Sequence, residues 1–448
     1  MTSTARVTGR SHGAVLAISF ATVVAMWTAG FVARLPWIVA SGWLVLALML
    51  AITAAGGYAV GRLTDRGVWG GALAGFLAAT INLLVLGGLL DVRGGGGIPP
   101  ALVWLPGALA FGAAWGAASA AVAALVREKA NSLRPVDWTY VLALVAAAAT
   151  FVLVLLGGLV TSLGAGLAVP DWPNTYGYAM FLYPLSKMTG GIYYEHSHRL
   201  FGTLVGLTTI AVTWQVFRSD RRVALRMLSV LALALVVLQG ILGGLRVTGS
   251  FTLAATSEEL APSLTLAIVH GVSGQLFFAV MIAIAVTVAP LWKRADDIRL
   301  TPAGGGVRAA AAALPFMLIV QLLLGALVRH RATGIMAHIG MSVVVGMAAV
   351  LLGTLFWAAA REPRKLGRLG LALIWITALQ FVLGFAAFVV TEGGSGGPSA
   401  AWYAVLLRTA HQGNGALMLA AAVACTLWIL RRDVASVAGD RDADDRAF

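Results

Sequence analysis

The sequence predicts an all-α polytopic membrane protein of about twelve transmembrane helices, including two tandem pseudo-symmetric four-helix bundles. Three observations predict it. The chain of 448 residues is 60% hydrophobic, only 11% charged, and has a mean hydropathy of +0.89, more apolar than a soluble chain of this length needs. Its apolar residues recur in windows of about 20, each long enough to cross a bilayer core. Its basic residues fall in short clusters between those windows, so the net charge of +13 reads as cytoplasmic membrane loops and not as a nucleic-acid surface. The lone cysteine, Cys425, lies in an apolar run; it forms no intramolecular disulfide and says nothing about redox compartment. The first apolar run is long and lacks a small-residue cleavage site, so no cleavable signal peptide is expected.

Taken in order, the spans fall near 13–33, 37–59, 68–90, 101–126, 138–163, 198–217, 224–246, 264–291, 309–329, 335–360, 367–390 and 408–430. The charge clusters then alternate between them. Arg6 and Arg10 precede the first span; Arg62 and Arg66 lie between the second and third; Arg127, Lys129 and Arg134 precede the fifth. Arg218, Arg221, Arg222 and Arg226 follow the sixth, and Lys293, Arg294, Arg299 and Arg308 the eighth. Arg361, Arg364, Lys365 and Arg368 follow the tenth, and Arg431 and Arg432 the last. All lie on one side if both termini are cytoplasmic. The expected location is therefore the cell (inner) membrane, multi-pass, with loops around 164–197, 247–263 and 391–407 at the outer face. Gly94–Gly97 reads as a flexible outer turn, since no Lys-Ser/Thr follows to make a phosphate loop.

Residues 138–430 contain a duplication. "LQGILGG" (238–244) aligns on "LQFVLGF" (379–385), and "HGVSGQLFFA" (270–279) on "HQGNGALMLA" (411–420), both at an offset of 141. His198 aligns on His338 at an offset of 140. "GGLVTSLGAG" (157–166) aligns on "GALVRHRATG" (325–334) at an offset of 168, because the loop after the fifth span is 28 residues longer than its counterpart. Two four-helix units thus follow one another in the same orientation. The expected domains are an N-terminal four-span module (1–134), a first half (135–300), a second half (301–435) and a cytoplasmic tail (436–448). The first module is rich in Gly and Ala and shows no such match.

The duplication places His198, His270, His338 and His411 equivalently, each expected to begin an out-to-in helix, and each followed four residues later by Gly202, Gly274, Ser342 or Gly415. A single interfacial histidine is ordinarily satisfied by water or backbone. Four at matched positions are harder to dismiss, because ionisable groups inside spans are costly, about 2.5–3.5 kcal/mol when charged at mid-membrane. Two imidazoles from two helices of one bundle suit bis-histidine heme ligation, with the small residue making room for the ring. A zinc site would want more ligands, including Cys or carboxylate. Arg199, Arg246, Arg329, Arg331 and Arg408 lie on the side expected to be poor in positive charge, where they can pair with heme propionates at helix N-termini or anchor lipid headgroups.

The halves are unequal. Glu195 lies one helical turn before His198, whereas Ile335 holds that place before His338. A carboxyl beside a metal-bound macrocycle can transfer protons; Glu195 can equally pair with Arg199 or a neighbouring imidazole. His196 points about 200° around the helix from His198 and has no assigned part. His330 and Arg331 replace Ser162 and Leu163 of the first half.

Together these features resemble the heme A synthase family. The resemblance is carried by "GGLVTSLGAGLAVPDWPNTYG" (157–177), "EHSHRLFG" (195–202), "LQGILGGLRVT" (238–248), "IVHGVSGQLFF" (268–278), "LGALVRH" (324–330) and "RTAHQGNGAL" (408–417), in family order over about two thirds of the chain. It implies a fold of two similar four-helix halves and oxidation of the C8 methyl of heme O to a formyl group, giving heme A for terminal oxidases. That would run through successive hydroxylations and loss of water, with electrons from an external donor. It further implies that His198 and His270 flank the substrate heme O iron, that Glu195 is the acid needed there, and that His338 and His411 ligate the iron of a heme b cofactor. Arg199, Arg246, Arg329 and Arg408 are the expected propionate partners. Two departures stand out. Val169 occupies a position where many bacterial members carry a cysteine, so a thiol–disulfide role cannot apply, and the N-terminal module lies outside the family pattern. The role of that module is open: it could dock the heme O-producing farnesyltransferase or an oxidase assembly factor, or merely stabilise the bundle. Two other functions use the same histidines: a diheme b-type electron-transfer membrane protein, and a heme transporter or chaperone.

Overall fold

The computed structural model describes residues 4–89, 98–126, 136–248, 264–294, 304–359, 364–392 and 401–444, the backbone alone for 4–12, 98–103, 364–365, 392 and 432–444. The Gly94–Gly97 turn, loop stretches 249–263 and 393–400, the end of the tail, and Arg127, Lys129, Arg134, Arg299 and Arg361 of the charge clusters lie outside the described residues. The protein is an all-α polytopic membrane protein. In order, the helices are α1 (Thr4–Ala33), α2 (Gly42–Leu63), α3 (Gly67–Leu86), α4 (Ile98–Val126), α5 (Trp138–Ser162), α6 (Gly190–Ser219), α7 (Val223–Thr248), α8 (Leu264–Val288), the short α9 (Pro290–Lys293), α10 (Gly305–Arg331), α11 (Ile335–Ala359), α12 (Arg364–Glu392) and α13 (Trp402–Asp444). Twelve of the described helices are long and apolar enough to cross a membrane, matching the expected windows. Large apolar side chains stand on their surfaces, Trp69 with 86% of its area exposed. In water that would be a liability; facing lipid it costs nothing.

Two boundaries differ from expectation in a way that matters. α6 begins at Gly190 and α13 at Trp402, eight and six residues before the expected starts at 198 and 408. His198 and His411 therefore sit well inside their helices, and Glu195 and His196 are buried in α6 at 4% and 1% exposure. A hydropathy window stops at such polar residues. The helix continues through them because their polar atoms find partners.

The chain forms two compact units, one of Met1–Leu153 with Gly166–Val236, the other of Val154–Ala165 with Val237–Phe448. In the first, α2, α3 and α4 meet through small residues. A Cβ on Gly57 or Gly71 would come within 2.5 Å of Gly116 O, and one on Gly61 within 2.6 Å of Ala120 O. In lipid, such close backbone approach replaces the hydrophobic drive between helices. Ser41 caps α2 by accepting from Leu44 N at 3.3 Å, and Trp27 Nε1 donates to the buried Asn82 Oδ1 at 2.9 Å, tying α1 to α3. α1 also packs on α6: Phe31 stacks on Tyr193 with centroids 5.2 Å apart, Trp27 meets Phe201 edge-on at 5.7 Å, and Tyr193 OH donates to Phe31 O at 2.6 Å. The N-terminal module thus braces the helix that carries Glu195 and His198.

In the second unit, Leu314, Leu318, Leu352, Phe356, Leu373, Leu419, Cys425 and Trp428 form the core between α10, α11, α12 and α13. Cys425 is fully buried. α5 ends in a Schellman motif in this unit: Gly164 takes φ +63°, Ala165 N donates to Val160 O at 2.8 Å, and Gly164 N donates to Thr161 O at 3.2 Å.

Candidate functional site

The long loop 166–189 is folded and tied to α6. Asn174–Thr175 (β1) and Tyr178–Ala179 (β2) form a minimal antiparallel hairpin in which Thr175 pairs with Tyr178. The two residues between the strands, Tyr176 and Gly177, have φ of +49° and +72°, the backbone of a type I′ turn, which favours glycine at its second position. Asp171 stabilises the turn by accepting from Tyr176 N and Gly177 N, both at 2.7 Å. Partial burial pushes the Asp171 carboxyl upward, but the N–H donors of Gly177 and Tyr176 and the Arg199 guanidinium outweigh it and hold it below its ordinary value.

Three side chains of α6 hold this loop. Glu195 Oε2 accepts from Val169 N at 3.1 Å, and Glu195 Oε1 accepts from Arg199 Nη2 at 2.9 Å. Arg199 also donates to Val169 O and Asp171 O, each at 2.7 Å, and to Asn174 O at 3.1 Å. His196 Nδ1 lies 3.1 Å from Thr175 Oγ1, and its ring packs on Tyr183 at 5.1 Å between centroids. Arg199, expected as a propionate partner, has its donors on loop carbonyls and the Glu195 carboxylate. His196, with no expected part, is an anchor for the hairpin. Val169, fully buried, contributes its backbone to the acid. Removing one partner of a buried ion pair costs about 3–5 kcal/mol, so Glu195 and Arg199 hold each other in place. His198 lies one turn beyond Glu195 on the same helix.

The second unit places His338 of α11 and His411 of α13 together, with ring centroids 6.4 Å apart and planes at 82°. Each ring lies against a glycine of the preceding helix: a Cβ on Gly325 would come within 3.0 Å of His338 Cε1, and one on Gly384 within 3.0 Å of His411 Cε1. Each is also met by a glutamine. Gln321 Nε2 lies 3.1 Å from His338 Nδ1 and donates to His338 O at 3.0 Å. Gln380 Nε2 lies 3.2 Å from both His411 Nδ1 and His411 O. Asn414 Nδ2 donates to Gln380 Oε1 at 2.8 Å and to Ile376 O at 2.9 Å.

His270 of α8, in the same unit, repeats part of this pattern. A Cβ on Gly243 would lie 3.6 Å from His270 Cε1, and Gln239 Nε2 donates to Ser273 Oγ at 2.7 Å. Gly274 and Gly415, expected to clear space for a macrocycle, instead face Gln239 and Gln380, at 3.3 Å from a Cβ built on each. Gly202, after His198, has nothing within 4 Å of such a Cβ. The remaining arginines have partners in the chain. Arg329 donates to Thr161 O, Arg331 to Thr265 Oγ1 at 2.8 Å, and Arg408 to Thr391 Oγ1 at 3.2 Å and Val390 O at 3.3 Å. Arg246 lies in the last turn of α7 and His330 in that of α10.

The sequence reading missed the glutamines. Their signal was present as a Gln-x-x-x-Gly spacing that occurs as Gln239–Gly243, Gln321–Gly325 and Gln380–Gly384 on helices preceding a histidine helix, with Leu153–Gly157 in the fourth equivalent place.

Comparison with known proteins bears on the same residues. The family model COX15-CtaA, described as cytochrome oxidase assembly protein, matches residues 140–342. That stretch contains Glu195, His198, His270 and His338; His411 lies beyond it. Curated proteins named heme A synthase are also similar, among them those of Listeria monocytogenes serotype 4a and Listeria innocua serovar 6a. Each is 36% identical over 99 residues, which is 22% of this chain and 31% of the relative. The aligned stretch thus spans about a third of the length of these relatives.

Proposed function

We propose that the chain, whose residues 140–342 match the COX15-CtaA family of cytochrome oxidase assembly proteins, is a membrane heme A synthase, oxidising the C8 methyl of heme O to a formyl group. The observation that carries the reading is the His338–His411 pair. Two metal–imidazole bonds of about 2 Å each, with half a ring at either end, put the centroids of a bis-imidazole iron site roughly 6 Å apart. The pair stands at 6.4 Å, and its Nδ1 atoms face Gln321 and Gln380, leaving Nε2 for a metal. The residues fit a resident heme b, which when bound supplies one-electron chemistry at its iron. By the resemblance to heme A synthases, His198 and His270 are the residues that flank the iron of the substrate heme O. Glu195, without a counterpart in the second half, is the group that takes or returns a proton as the methyl is oxidised. Its carboxylate is held by Val169 N and Arg199, so its position is set before substrate arrives. Arg199, Arg246, Arg329 and Arg408 are the arginines proposed to meet propionates. An external donor supplies electrons. The setting is the inner membrane with both termini cytoplasmic and the heme sites near the outer face, in keeping with the alternation of basic clusters. The farnesyltransferase that makes heme O, or an oxidase assembly factor, is a fitting partner for the N-terminal module.

The test is expression in a host that makes heme O but not heme A, followed by extraction and chromatography of the hemes. Heme A is expected. A purified protein holding two heme b and yielding no heme A would overturn the reading in favour of a diheme electron-transfer protein.

A further inference from the structure

α1, α2 and α5 leave a groove between them. Ala21, Ala25 and Ala29 stand four residues apart and so share one face of α1. Their short side chains, with Leu44 and Leu48 of α2 and Ala148 of α5, line a space of about 800 Å³, within the range of about 300–1,000 Å³ that small-molecule sites occupy. Thr28 is the one polar side chain of the lining, and its hydroxyl donates to Val24 O at 2.7 Å. The groove therefore offers an occupant no hydrogen-bond donor, which a quinone head would need.

Its length and its mouth say what fits. On α1 the groove runs from Ala21 to Ala33, about 18 Å at about 1.5 Å per residue. The hydrocarbon core is about 30 Å thick, so the groove is about as deep as one leaflet. A partner helix would want a seam along the whole span; an acyl chain wants only this half. At the mouth, Ile38 and Ala40 of the α1–α2 turn belong to the lining. The same turn carries Arg34, which is exposed and whose side chain makes no hydrogen bond or ion pair among the described residues. Trp37 and Trp43 beside it are exposed as well, as indole rings are at headgroup level. This is the side proposed to be outer, where cations are otherwise sparse, and a guanidinium meets a phosphate with paired N–H donors.

We propose that this groove is a phospholipid site, holding one acyl chain of an anionic outer-leaflet lipid whose phosphate rests on Arg34. A zwitterionic headgroup adds a cation that the guanidinium repels, so net negative charge is favoured. Trp27 and Phe31, which meet α6, lie on another face of α1. A lipid in the groove thus backs the helix that braces Glu195 and His198.

The test counts lipids retained by the full-length protein in mild detergent, by native mass spectrometry, after titration with phosphatidylglycerol or phosphatidylcholine of equal chain length. The wild type is expected to retain a single phosphatidylglycerol, to gain thermal stability from it, and to retain phosphatidylcholine poorly. Arg34→Gln is expected to weaken retention about 10-fold or more. Ala25→Phe, at an exposed position of the groove wall, fills the groove and is expected to abolish it. Arg221→Gln, at an exposed cation on the opposite side of the membrane, should change nothing. Equal retention of the two lipids by the wild type would overturn the proposal, whatever the variants do. So would full retention in Ala25→Phe, which would make Arg34 a headgroup anchor without a chain site. A neutral isoprenoid found in place of phospholipid, or a lipid-free dimer that Ala25→Phe dissociates, would overturn it too.

Discussion

The α6 site and the α11–α13 site descend from one duplicated plan, yet different groups hold their imidazoles. Around α6 the polar work is done by ions and by a loop: Glu195 and Arg199 form a buried pair at 2.9 Å, and both bind the backbone of 166–189. Around α11 and α13 it is done by neutral amides, Gln321 and Gln380, with glycines letting each ring lie against a helix. Neutral amides suit a permanent guest, since they orient a ligand without bringing charge into lipid. A held carboxylate suits a reaction that moves protons, and its burial is tolerated because an arginine and a backbone N–H meet it. The duplication conserved where the histidines stand. Divergence changed what surrounds them.

The sharpest way to break that contrast is to remove one ligand from the amide-held pair. His411→Ala is expected to abolish the bis-imidazole heme b signal altogether, read by optical and paramagnetic spectra of the purified protein. Next in size is the acid. Glu195→Gln keeps the shape and removes the proton-transfer capacity, worth about 10²–10⁴-fold in rate. Heme A formation is expected to drop by at least about 100-fold with heme b retained. Loss of both hemes in this variant would make Glu195 a structural residue and erase the difference between the halves. Third is the pairing itself. Arg199→Leu leaves the buried carboxylate without its cation, at a cost of about 3–5 kcal/mol. It is expected to lower thermal stability and expose the 166–189 loop to protease, and unchanged proteolysis would refute the clasp.

Much of this was legible in the chain before its structure. The twelve spans follow from composition and length, since bilayer thickness dictates them. The four histidines emerged from the repeat, which exposes equivalence whatever the geometry. The asymmetry at Glu195 appeared because Ile335 cannot imitate a carboxylate. What escaped was everything that depends on partners distant in sequence. The bonds from Arg199 to the loop carbonyls of Val169, Asp171 and Asn174 escaped because those partners lie 25 to 30 residues earlier. His196 looked idle because its partner, Thr175, sits 21 residues earlier in a hairpin no wider than two pairs. The α6 start was placed late because hydropathy counts Glu195 and His196 as breaks, although their bonds make them interior residues.

Smaller effects sharpen the loop side of the comparison. His196→Phe fills a similar volume and keeps the contact with Tyr183 but deletes the bond to Thr175. About 1 kcal/mol of stability is expected to go with it. Thr175→Val should lose a similar amount and the double variant little more, because both delete one bond; additive losses would show the two residues acting separately. Neither change should alter the heme b spectrum, since neither residue belongs to the α11–α13 site.

The least of the expected effects is a dependence on pH. Asp171 lies at the loop surface, and its carboxyl is held below the ordinary 3.8 by the N–H groups of Gly177 and Tyr176 and by Arg199, against the opposing pull of burial. A carboxyl whose pKa is lower in the folded protein binds fewer protons there than in the unfolded chain. Its contribution is therefore present above the unfolded value of about 4 and is lost as pH falls through the folded value. Protease protection of the 166–189 loop should accordingly be flat across neutral pH and weaken only in acid. Asp171→Asn cannot ionise and offers one acceptor oxygen in place of two, so the variant should be less protected at neutral pH and should lose this part of the acid-induced change. The amide-held pair contains no carboxylate, so proteolysis near α11 and α13 should not share this acid step. If the Asp171→Asn loop keeps the wild-type acid profile, Asp171 does not govern the loop's response to acid.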